Sequence, residues 1–392
     1  MKYTLRNYQK QASDAAVRLF TSKADKNGLV ILPTGAGKSL VIADIVSRLE
    51  GPLLVFQPSK EILQQNFAKL QSYGIFDCGC YSASVGCKDI NRITFATIGS
   101  VMNHMSDFDC FKNIIIDECH YVNSKAGQYK EFIEAKNRQV VGLTATPYRL
   151  DRAVGGSILK FLTRVRPRIF SKVIYCCQIG ELLSKGYLAD LHYYDLTTLD
   201  LRRVRSNSTG GADYDERSLL AEYERSGFYD KLSNTVVKVL QPKSGIPRKG
   251  VLVFTAFTRE ARQLVDKLQS LGVNAAIVTG ETPKKEREAI LEGFKRREIK
   301  VVANVGVLTT GFDYPALDTV VLARPTKSLG LYYQMVGRAI RPFEGKDGWI
   351  VDLSGNYSRF GNVADLFISR PPGTTKWAVY SRGTQLTNVV LI

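Results

Sequence analysis

The chain has 392 residues and a formal net charge of +17, with 54 Lys and Arg against 37 Asp and Glu. This length exceeds the roughly 250 to 300 residues at which one hydrophobic core stops growing, so two or more domains are expected. No apolar run approaches the roughly 18 residues of a membrane span, and the start MKYTLRNYQKQ lacks the apolar core of a secretory signal, which argues against a membrane or secreted protein.

The first predicted elements are short apolar runs alternating with amphipathic stretches between residues 28 and 146, for example GLVIL, KSLVIADIVSRL, PLLVFQPS and SKEILQQNFAKL. Near-continuous apolar strands indicate a parallel sheet that helices cover on both faces. The same pattern returns after residue 233, from GVLVFTAF to GWIVDL. The sequence therefore predicts an α/β protein with two similar domains.

The stretch between these domains has a different composition, with a basic run from Arg152 to Lys172, a polar loop SNSTGG and many tyrosines. We interpret it as a helical connector or accessory insertion. The expected domains are residues 1–149, the insertion 150–232, the second α/β domain 233–355 and a C-terminal extension 356–392. The last contains RPPGTTKW and VVLI, which indicate a proline-broken stretch and a strand pair.

The stretch ILPTGAGKS places a glycine-rich turn between a strand and a helix, as in a P-loop, in which backbone N–H groups and the helix N-terminus surround phosphates. Lys38 would reach the β- and γ-phosphates and Ser39 would offer its hydroxyl to Mg²⁺. One departure is Leu32, which stands where the P-loop pattern has its first glycine. The turn predicted to bind ATP comprises Thr34, Gly35, Ala36, Gly37, Lys38 and Ser39.

An acidic pair follows the apolar strand in NIIIDECH. Asp117 would hold Mg²⁺ through water, and Glu118 would orient and activate the attacking water as a general base. A solvated turn is the alternative interpretation of two adjacent carboxylates, and the nearby P-loop disfavours it.

Two arginines in QMVGRAIRP, Arg338 and Arg341, are three residues apart, and Gln334 precedes them by one turn. The spacing predicts that both guanidinium groups lie on one helical face. There they would face a nucleotide held by the first domain and stabilise charge on the transferring phosphoryl group. A solvated basic helix is the alternative. Neither domain alone would then hydrolyse ATP well, and domain closure would complete the site.

With these motifs the chain resembles superfamily 2 helicases of the DEAD/DEAH-like group, over most of residues 3–355. Five motifs are most similar to those of RadD-like bacterial DNA-repair ATPases and of type III restriction motor subunits. These motifs are LPTGAGKSLVIA, IIIDECHYV, GLTATPYRL, VLTTGFDYP and VGRAIRP. The resemblance implies two tandem RecA-like domains. It also implies that Gln9, with Arg6 nearby, reads adenine, and that Gly311 and Asp313 lie near the nucleotide.

The same resemblance implies roles for further motifs. Residues coupling the nucleotide to the nucleic acid would be His120, Thr144 and Thr146. Residues contacting the nucleic-acid strand would be Pro58, Ser59, Lys60, Thr97, Thr279, Gly280, Thr309 and Thr310.

The seven cysteines are an odd number without a repeating framework, which favours a reducing bacterial cytosol or nucleoid. Cys78, Cys80 and Cys87 suggest a metal site, but no fourth ligand lies near in sequence, and buried packing is the preferred interpretation. RadD-like chains continue into a cysteine-rich module, whereas this sequence has no cysteine after Cys177. We therefore expect no zinc.

The resulting hypothesis is an ATP- and Mg²⁺-dependent motor on DNA, single-stranded or branched, acting as a monomer in DNA repair or recombination, with a repair protein as a candidate partner and no membrane. The charge surplus, largest after residue 233, fits a polyanion partner. Two alternatives stay open. One is an ATP-gated DNA clamp that recruits a partner without unwinding, and the other is an RNA remodelling helicase, because backbone contacts hardly distinguish the two sugars.

Overall fold

The computed structural model describes residues 4–22, 27–136, 138–154, 156–207, 213–243, 245–309 and 311–391. It divides into two compact units. The first contains residues 1–149, 160–179 and 368–379, and the second contains residues 150–159, 180–367 and 380–392. Within the described ranges, no helix combines the length and the apolar character needed to cross a bilayer.

The first unit is built on one large sheet with helices packed around it. Its helices are α1 Asn7–Thr21, α2 Lys38–Arg48, α3 Lys60–Ser72, α4 Ile98–Met102 and α5 Gln128–Glu134. Its strands are β1 Gly28–Ile31, β2 Leu53–Phe56, β3 Cys78–Ser82, β4 Cys87–Lys88, β5 Ile93–Ala96, β6 Asn113–Asp117 and β7 Gln139–Thr144, and the chain returns to this sheet with β10 Lys172–Cys176.

The strand order of the first sheet is β10-β1-β7-β6-β2-β5-β3-β4. All neighbouring strands are parallel except the β3–β4 hairpin. Each of β1, β2 and β5 is buried along its whole length, which explains the near-continuous apolar runs of the sequence. Because the strands are parallel, the loops after β1, β2, β5, β6 and β7 all leave the same edge of the sheet.

The second unit has its own parallel sheet, with the order β11-β16-β15-β12-β14-β13. Its strands are β11 Leu191–Asp195, β12 Val251–Thr255, β13 Ala275–Val278, β14 Val301–Val305, β15 Thr319–Ala323 and β16 Gly348–Asp352. Its helices are α7 Glu216–Ser226, α8 Phe228–Leu240, α9 Thr258–Ser270, α10 Lys284–Lys295, α11 Leu329–Val336 and α12 Asn356–Phe360. The two parallel sheets with their helices confirm the predicted α/β fold class.

A core cluster in the second unit shows how the 150–232 segment is used. Tyr223 and Phe228, from α7 and α8, are fully buried and pack with Val253 of β12 and Leu264 of α9. The Tyr223 hydroxyl donates a hydrogen bond to the carbonyl oxygen of Ala323, at 2.7 Å. Residues 150–232 thus contribute both to a sheet edge, through β11, and to the helical layer over this sheet.

The remaining elements are short. Helix α6 spans Ile179–Ser184. Two three-stranded sheets are formed by β8 Tyr148–Ala153, β9 Gly156–Phe161 and β20 Val390–Leu391, and by β17 Leu366–Ser369, β18 Ala378–Ser381 and β19 Thr384–Gln385. The strands near the C-terminus agree with the predicted strand pair.

The preferred interpretation of Cys80 and Cys87 as packed thiols is wrong. Their sulfur atoms form a disulfide across the β3–β4 hairpin, with the two Cα atoms 5.6 Å apart. The antiparallel pairing of Ser82 with Cys87 brings these residues together, and this pairing could not be read from the cysteine spacing alone. Cys78 remains a free, buried thiol.

Candidate active site

The glycine-rich turn lies between β1 and α2, as the sequence predicts. Gly35 and Gly37 have φ values of +83° and +79°, in the left-handed region that favours glycine. A Cβ on Gly37 would come within 2.6 Å of the Gln9 side-chain nitrogen. Lys38 and Ser39 open α2, so the glycine-rich turn lies directly at the helix N-terminus. The turn therefore fits a phosphate group.

Tyr8 and Gln9 of α1 hold the glycine-rich turn from one side. The Tyr8 hydroxyl and the Gln9 amide nitrogen both donate to the carbonyl oxygen of Ala36, each at 2.9 Å. The Gln9 amide oxygen accepts a hydrogen bond from the Arg6 backbone N–H, also at 2.9 Å. Both ends of the Gln9 amide are thus engaged with protein, and a bidentate contact to adenine would have to replace these bonds.

The acidic pair lies at the end of β6, two strands from β1 in the sheet. Glu118 Oε1 lies 2.7 Å from the Lys38 ammonium group. Glu118 has a φ of +47°, a left-handed backbone conformation that costs a non-glycine residue about 1–3 kcal/mol. Its N–H donates to Asp117 Oδ1 at 2.9 Å. This local geometry turns the two adjacent carboxylates in different directions.

The two carboxyl groups have opposite pKa shifts. Burial, reinforced by the neighbouring Glu118 charge, raises the pKa of Asp117 to about 7. Burial also acts to raise the pKa of Glu118, but the charges and hydrogen bonds of Lys38 and His120 outweigh it, so that its pKa lies below the ordinary value. Glu118 is therefore ionised at neutral pH, whereas the Asp117 carboxyl group keeps its proton up to about pH 7.

Asn66, which the sequence analysis missed, connects the predicted metal-binding pair, and Gln57 contacts Asn66. The Ser39 hydroxyl donates to Asn66 Oδ1 at 2.7 Å, and the Asn66 amide donates to Asp117 Oδ2 at 3.3 Å and to Gln57 Oε1 at 3.0 Å. The Gln57 side-chain nitrogen is buried without a hydrogen-bond partner. Asn66 lies within the predicted helix SKEILQQNFAKL. The spacing of its apolar residues indicates the buried positions but does not predict this polar contact.

A hydroxyl and a carboxylate held together at a sheet edge are hard oxygen donors, which suit Mg²⁺. Ser39 and Asp117 therefore fit a magnesium ion, with Asn66 orienting both. Among the described residues, no cluster of three or more His, Cys, Asp and Glu side chains has the arrangement of a metal site, so a magnesium ion would take most of its remaining ligands from water and phosphate.

His120 contacts three residues from two segments of the first unit. Its Nδ1 atom lies 3.3 Å from Glu118 Oε2, 3.0 Å from the Thr144 hydroxyl and 3.1 Å from the Thr146 hydroxyl. Thr144 ends β7 and is fully buried, and Thr146 follows it. The predicted coupling residues thus form one hydrogen-bonded group that begins at the acidic pair.

The predicted strand-contacting residues of the first unit lie at the same sheet edge. Ser59 is the N-cap of α3, where its hydroxyl accepts from the Ile62 N–H, and it is flanked by Pro58 and Lys60 after β2. Thr97 follows β5 and shares hydrogen bonds with the hydroxyls of Ser82 and Ser100, each at 3.0 Å. All are partly exposed, as a surface contact requires.

In the second unit, Thr279 and Gly280 follow β13, in a loop whose carbonyls accept from the Arg287 guanidinium. Thr309 lies in the turn after β14, and Gly311 has a φ of +73°. Thr310 lies outside the described residues. The loops after β13 and β14 leave the same edge of the second sheet.

The two arginines converge, although the element that carries them differs from the prediction. Helix α11 ends at Val336, so Arg338 and Arg341 lie in the turn after it, where the N–H groups of Arg338 and Ala339 bond to carbonyls three residues earlier. The helical-face prediction was therefore wrong. Both guanidinium groups nevertheless donate to the carbonyl oxygen of Phe312, at 2.7 and 3.0 Å.

The turn that carries the arginines is held by further contacts. Arg338 also donates to the carbonyl oxygen of Gln334, and Arg341 forms an ion pair with Asp313. Lys346, which the sequence analysis did not single out, donates to the carbonyl oxygens of Arg341 and Pro315 at 2.7 and 2.8 Å. Burial lowers the pKa of this lysine to about 7.

Two family models match the chain. Residues 2–149 match the res subunit of type III restriction enzymes, and residues 232–342 match the conserved C-terminal domain of helicases. The chain belongs to helicase superfamily 2.

Relatives align with most of the chain. IRC3 of Saccharomyces cerevisiae is 27% identical over 377 residues, which are 90% of this chain and 51% of that protein. The DNA 3'-5' translocase XPB2 of Sulfurisphaera tokodaii is 24% identical over 383 residues, covering 90% of this chain and 82% of that protein. The chain thus spans only about half the length of the yeast protein.

Solved structures share the fold. The DNA-bound type ISP restriction-modification enzyme LlaBIII matches with a TM-score of 0.66 and 20% identity, over 90% of this chain and 28% of that one. Dbp5 of S. cerevisiae, bound to RNA and ADP BeF3, matches with a TM-score of 0.55 and 18% identity, over 88% of this chain and 83% of that one. These similarities support two tandem RecA-like domains.

Proposed function

We propose that this superfamily 2 protein is an ATP-dependent motor that moves on DNA, and that it acts in DNA repair or recombination in the cytosol. The observation that carries the proposal is the continuous group formed by Lys38, Glu118, His120, Thr144 and Thr146. It begins at the phosphate-binding turn and extends along the sheet edge from which Ser59 and Thr97 also emerge. Hydrolysis and strand contact would thereby be linked within one unit.

In this proposal, ATP is the substrate and the glycine-rich turn binds its phosphates. A magnesium ion held by Ser39 and Asp117 would neutralise phosphate charge. Glu118, ionised and held by Lys38 and His120, would accept the proton of the attacking water. When Lys38 moves to the phosphates, Glu118 loses its nearest cation and its basicity rises. His120 would transmit this change to Thr144 and Thr146.

We further propose that Arg338 and Arg341 contribute to phosphoryl transfer by stabilising negative charge that develops in the transition state. Support comes from their shared anchor on Phe312, which fixes two guanidinium groups in one place. The expected partner is DNA, since the positive net charge suits a polyanion and a relative is described as a DNA 3'-5' translocase.

The test is ATP hydrolysis measured with single-stranded, duplex, forked and branched DNA and with matched RNA, alongside strand displacement. We expect stimulation by DNA, and loss of turnover in Lys38→Ala. A hydrolysis rate that responds to none of these nucleic acids would contradict a motor. Slow hydrolysis with DNA binding but no displacement or translocation would indicate a clamp, and preferential stimulation by RNA would indicate an RNA remodelling enzyme.

A further inference from the structure

The second unit has a groove that none of the motifs above uses. It lies between the residues after the short 3-10 helix Leu201–Arg203 and helix α7, and its volume is about 800 Å³. Four arginines line it, Arg203, Arg205, Arg217 and Arg225, together with the carboxylates Asp215 and Glu222. We call this feature the arginine groove.

The two carboxylates of the arginine groove form hydrogen bonds and an ion pair with neighbouring residues. Asp215 caps α7, where its Oδ1 atom accepts a hydrogen bond from the Ser218 N–H at 2.9 Å. Glu222 is buried, accepts from the Asp200 N–H at 2.8 Å and forms an ion pair with Arg225 at 2.7 Å. The charge of Glu222 is therefore balanced by Arg225. Asp215 keeps its charge, and its hydrogen bonds to Ser218 and the nearby charges of Arg205 and Arg217 lower its pKa.

The side chains of Arg205 and Arg217 differ from those of the other two arginines in the groove. Arg203 pairs with Asp200 at 3.3 Å, but the guanidinium groups of Arg205 and Arg217 make no hydrogen bond or ion pair among the residues the structure describes. Both side chains are exposed. Four arginines against two carboxylates leave the groove lining with a net charge of +2, which favours an anionic ligand from solution.

The arginine groove flanks the carboxyl edge of the second sheet. The chain enters it from the end of β11, where the Thr198 N–H donates to the carbonyl oxygen of Leu353, just after β16. Lys327, which follows β15, donates to the Ser206 hydroxyl in the groove wall at 2.6 Å. Thr279 and Thr309, both predicted to contact nucleic acid, follow β13 and β14 at this same edge.

We propose that the arginine groove binds the phosphodiester backbone of single-stranded DNA, as an additional contact of the motor. The proposal rests on the proposed function. Guanidinium groups match phosphate oxygens in a planar, two-pronged geometry. None of the described lining side chains is aromatic, so bases find no stacking platform there, and the contact is independent of sequence.

The experiment measures binding of a labelled oligothymidylate by fluorescence anisotropy at several salt concentrations, using the full chain. The variant is Arg205→Gln with Arg217→Gln. The control is Lys267→Gln with Lys300→Gln, which removes the same charge from two exposed positions of the same unit, at the end of α9 and immediately before β14. These positions lie at the opposite, amino-terminal edge of the sheet.

We expect the groove variant to bind about tenfold more weakly at moderate salt. We also expect a shallower plot of log affinity against log salt concentration. Each phosphate contact on a single strand contributes about 0.7 to this slope, so the loss of two contacts should reduce it by about 1.4. The control should match the wild type within about twofold. Equal thermal midpoints would show that all three proteins are folded.

Several outcomes would overturn the inference. Unchanged affinity and slope in the groove variant, with DNA-stimulated hydrolysis intact in the wild type, would reject the groove but leave the motor. An unchanged DNA affinity with lost binding of polyglutamate would assign the groove to an acidic protein segment instead. Absence of DNA binding by the wild type would reject both the groove and the proposed function.

Discussion

Glu118 shows how much of this site depends on single residues. Its left-handed backbone directs one oxygen to Lys38 and the other to His120, while its own N–H bonds to Asp117. A carboxylate in this position is ionised, close to the glycine-rich turn and connected to the Thr144–Thr146 pair. The contacts with Lys38 and His120 offset the backbone strain of Glu118.

Asn66 provides a first prediction at the residue scale. Because its amide joins Ser39 to Asp117, Asn66→Ala should leave the two proposed magnesium ligands without a common support. Loss of a residue that orients metal ligands typically costs about 10- to 100-fold in metal affinity. The measurement is the Mg²⁺ concentration that gives half-maximal ATP hydrolysis.

The control for this prediction is Gln64→Ala, two positions earlier on α3, where the side chain is exposed. We expect its magnesium requirement to equal that of the wild type. An Asn66→Ala protein with a lowered rate but an unaltered magnesium requirement would contradict the role of Asn66 in orienting the ligands.

At the scale of elements, the turn after α11 matters more than the helix itself. Arg338 and Arg341 lie beyond Val336, and both of their guanidinium groups donate to the carbonyl oxygen of Phe312. The Lys346 ammonium group donates to the carbonyl oxygen of Arg341. Each arginine is held at its backbone by the turn and at its guanidinium group by the Phe312 carbonyl oxygen. The two guanidinium groups therefore lie closer to one point than two side chains on an exposed helix would.

We expect Arg338→Ala to lower ATP turnover about 10²- to 10³-fold, the usual effect of removing one group that stabilises transition-state charge. Nucleotide affinity should stay within a few-fold of the wild type, because the glycine-rich turn is intact. Turnover by single-cycle kinetics and binding of a fluorescent ATP analogue measure the two quantities. A lost affinity together with unchanged turnover of bound nucleotide would contradict the proposal.

Helix α9 contains a buried acid that makes the second unit sensitive to pH. Glu260 is 1% exposed, accepts a hydrogen bond from the Ala256 N–H, and has one carboxyl oxygen without a partner. Burial raises the pKa of Glu260 to about 8. The folded protein therefore retains a proton that the unfolded chain releases near pH 4.5.

The proton on Glu260 makes the free energy of unfolding depend on pH. Because the folded state binds the extra proton, the free energy of unfolding is highest below pH 4.5 with respect to this group, and falls as the pH rises towards 8 and just beyond. Between pH 6 and 9 the loss should be on the order of 3 kcal/mol. Glu260→Gln, which stays neutral, should lack this loss.

The check is thermal denaturation of the wild type and Glu260→Gln across this pH range. The difference between the two midpoints isolates Glu260 from other titrating groups, including Lys346. Parallel midpoint curves for the two proteins would contradict a protonated Glu260.

At the scale of the whole molecule, charge is the dominant feature. A net charge of +17 lies on a protein in which the loops that carry the predicted motifs leave the carboxyl edges of two parallel sheets. Binding driven by phosphate contacts releases counterions, so we expect DNA affinity to fall steeply as salt increases, about 10³-fold or more between 50 and 200 mM if at least six phosphates are contacted.

This expectation is measured by anisotropy with DNA of two unrelated sequences. Similar affinities and similar slopes for both would agree with recognition of the backbone. A strong sequence preference with little dependence on salt would contradict it and would indicate readout of base edges.

Most of the fold and much of the candidate site follow from local patterns. The apolar runs identified the parallel strands, and the residues immediately after β1, β2, β5, β6 and β7 carried the motifs. Since parallel strands bring their carboxyl ends to one edge, adjacency in space followed from position in each strand. Lys38, Asp117, Glu118 and His120 lie together for this reason, and they could be found before any coordinates.

What the sequence by itself determined is therefore the type of fold, the position of the glycine-rich turn and the order of motifs along each sheet edge, because each depends on consecutive residues. Only the tertiary structure decided which side chains from different elements meet. Asn66 bridges Ser39 and Asp117, Gln9 is bonded to Ala36, Cys80 pairs with Cys87, and Arg205 and Arg217 line one groove. These contacts depend on helix rotation, strand register and loop path, which hydrophobic periodicity leaves unspecified for polar side chains.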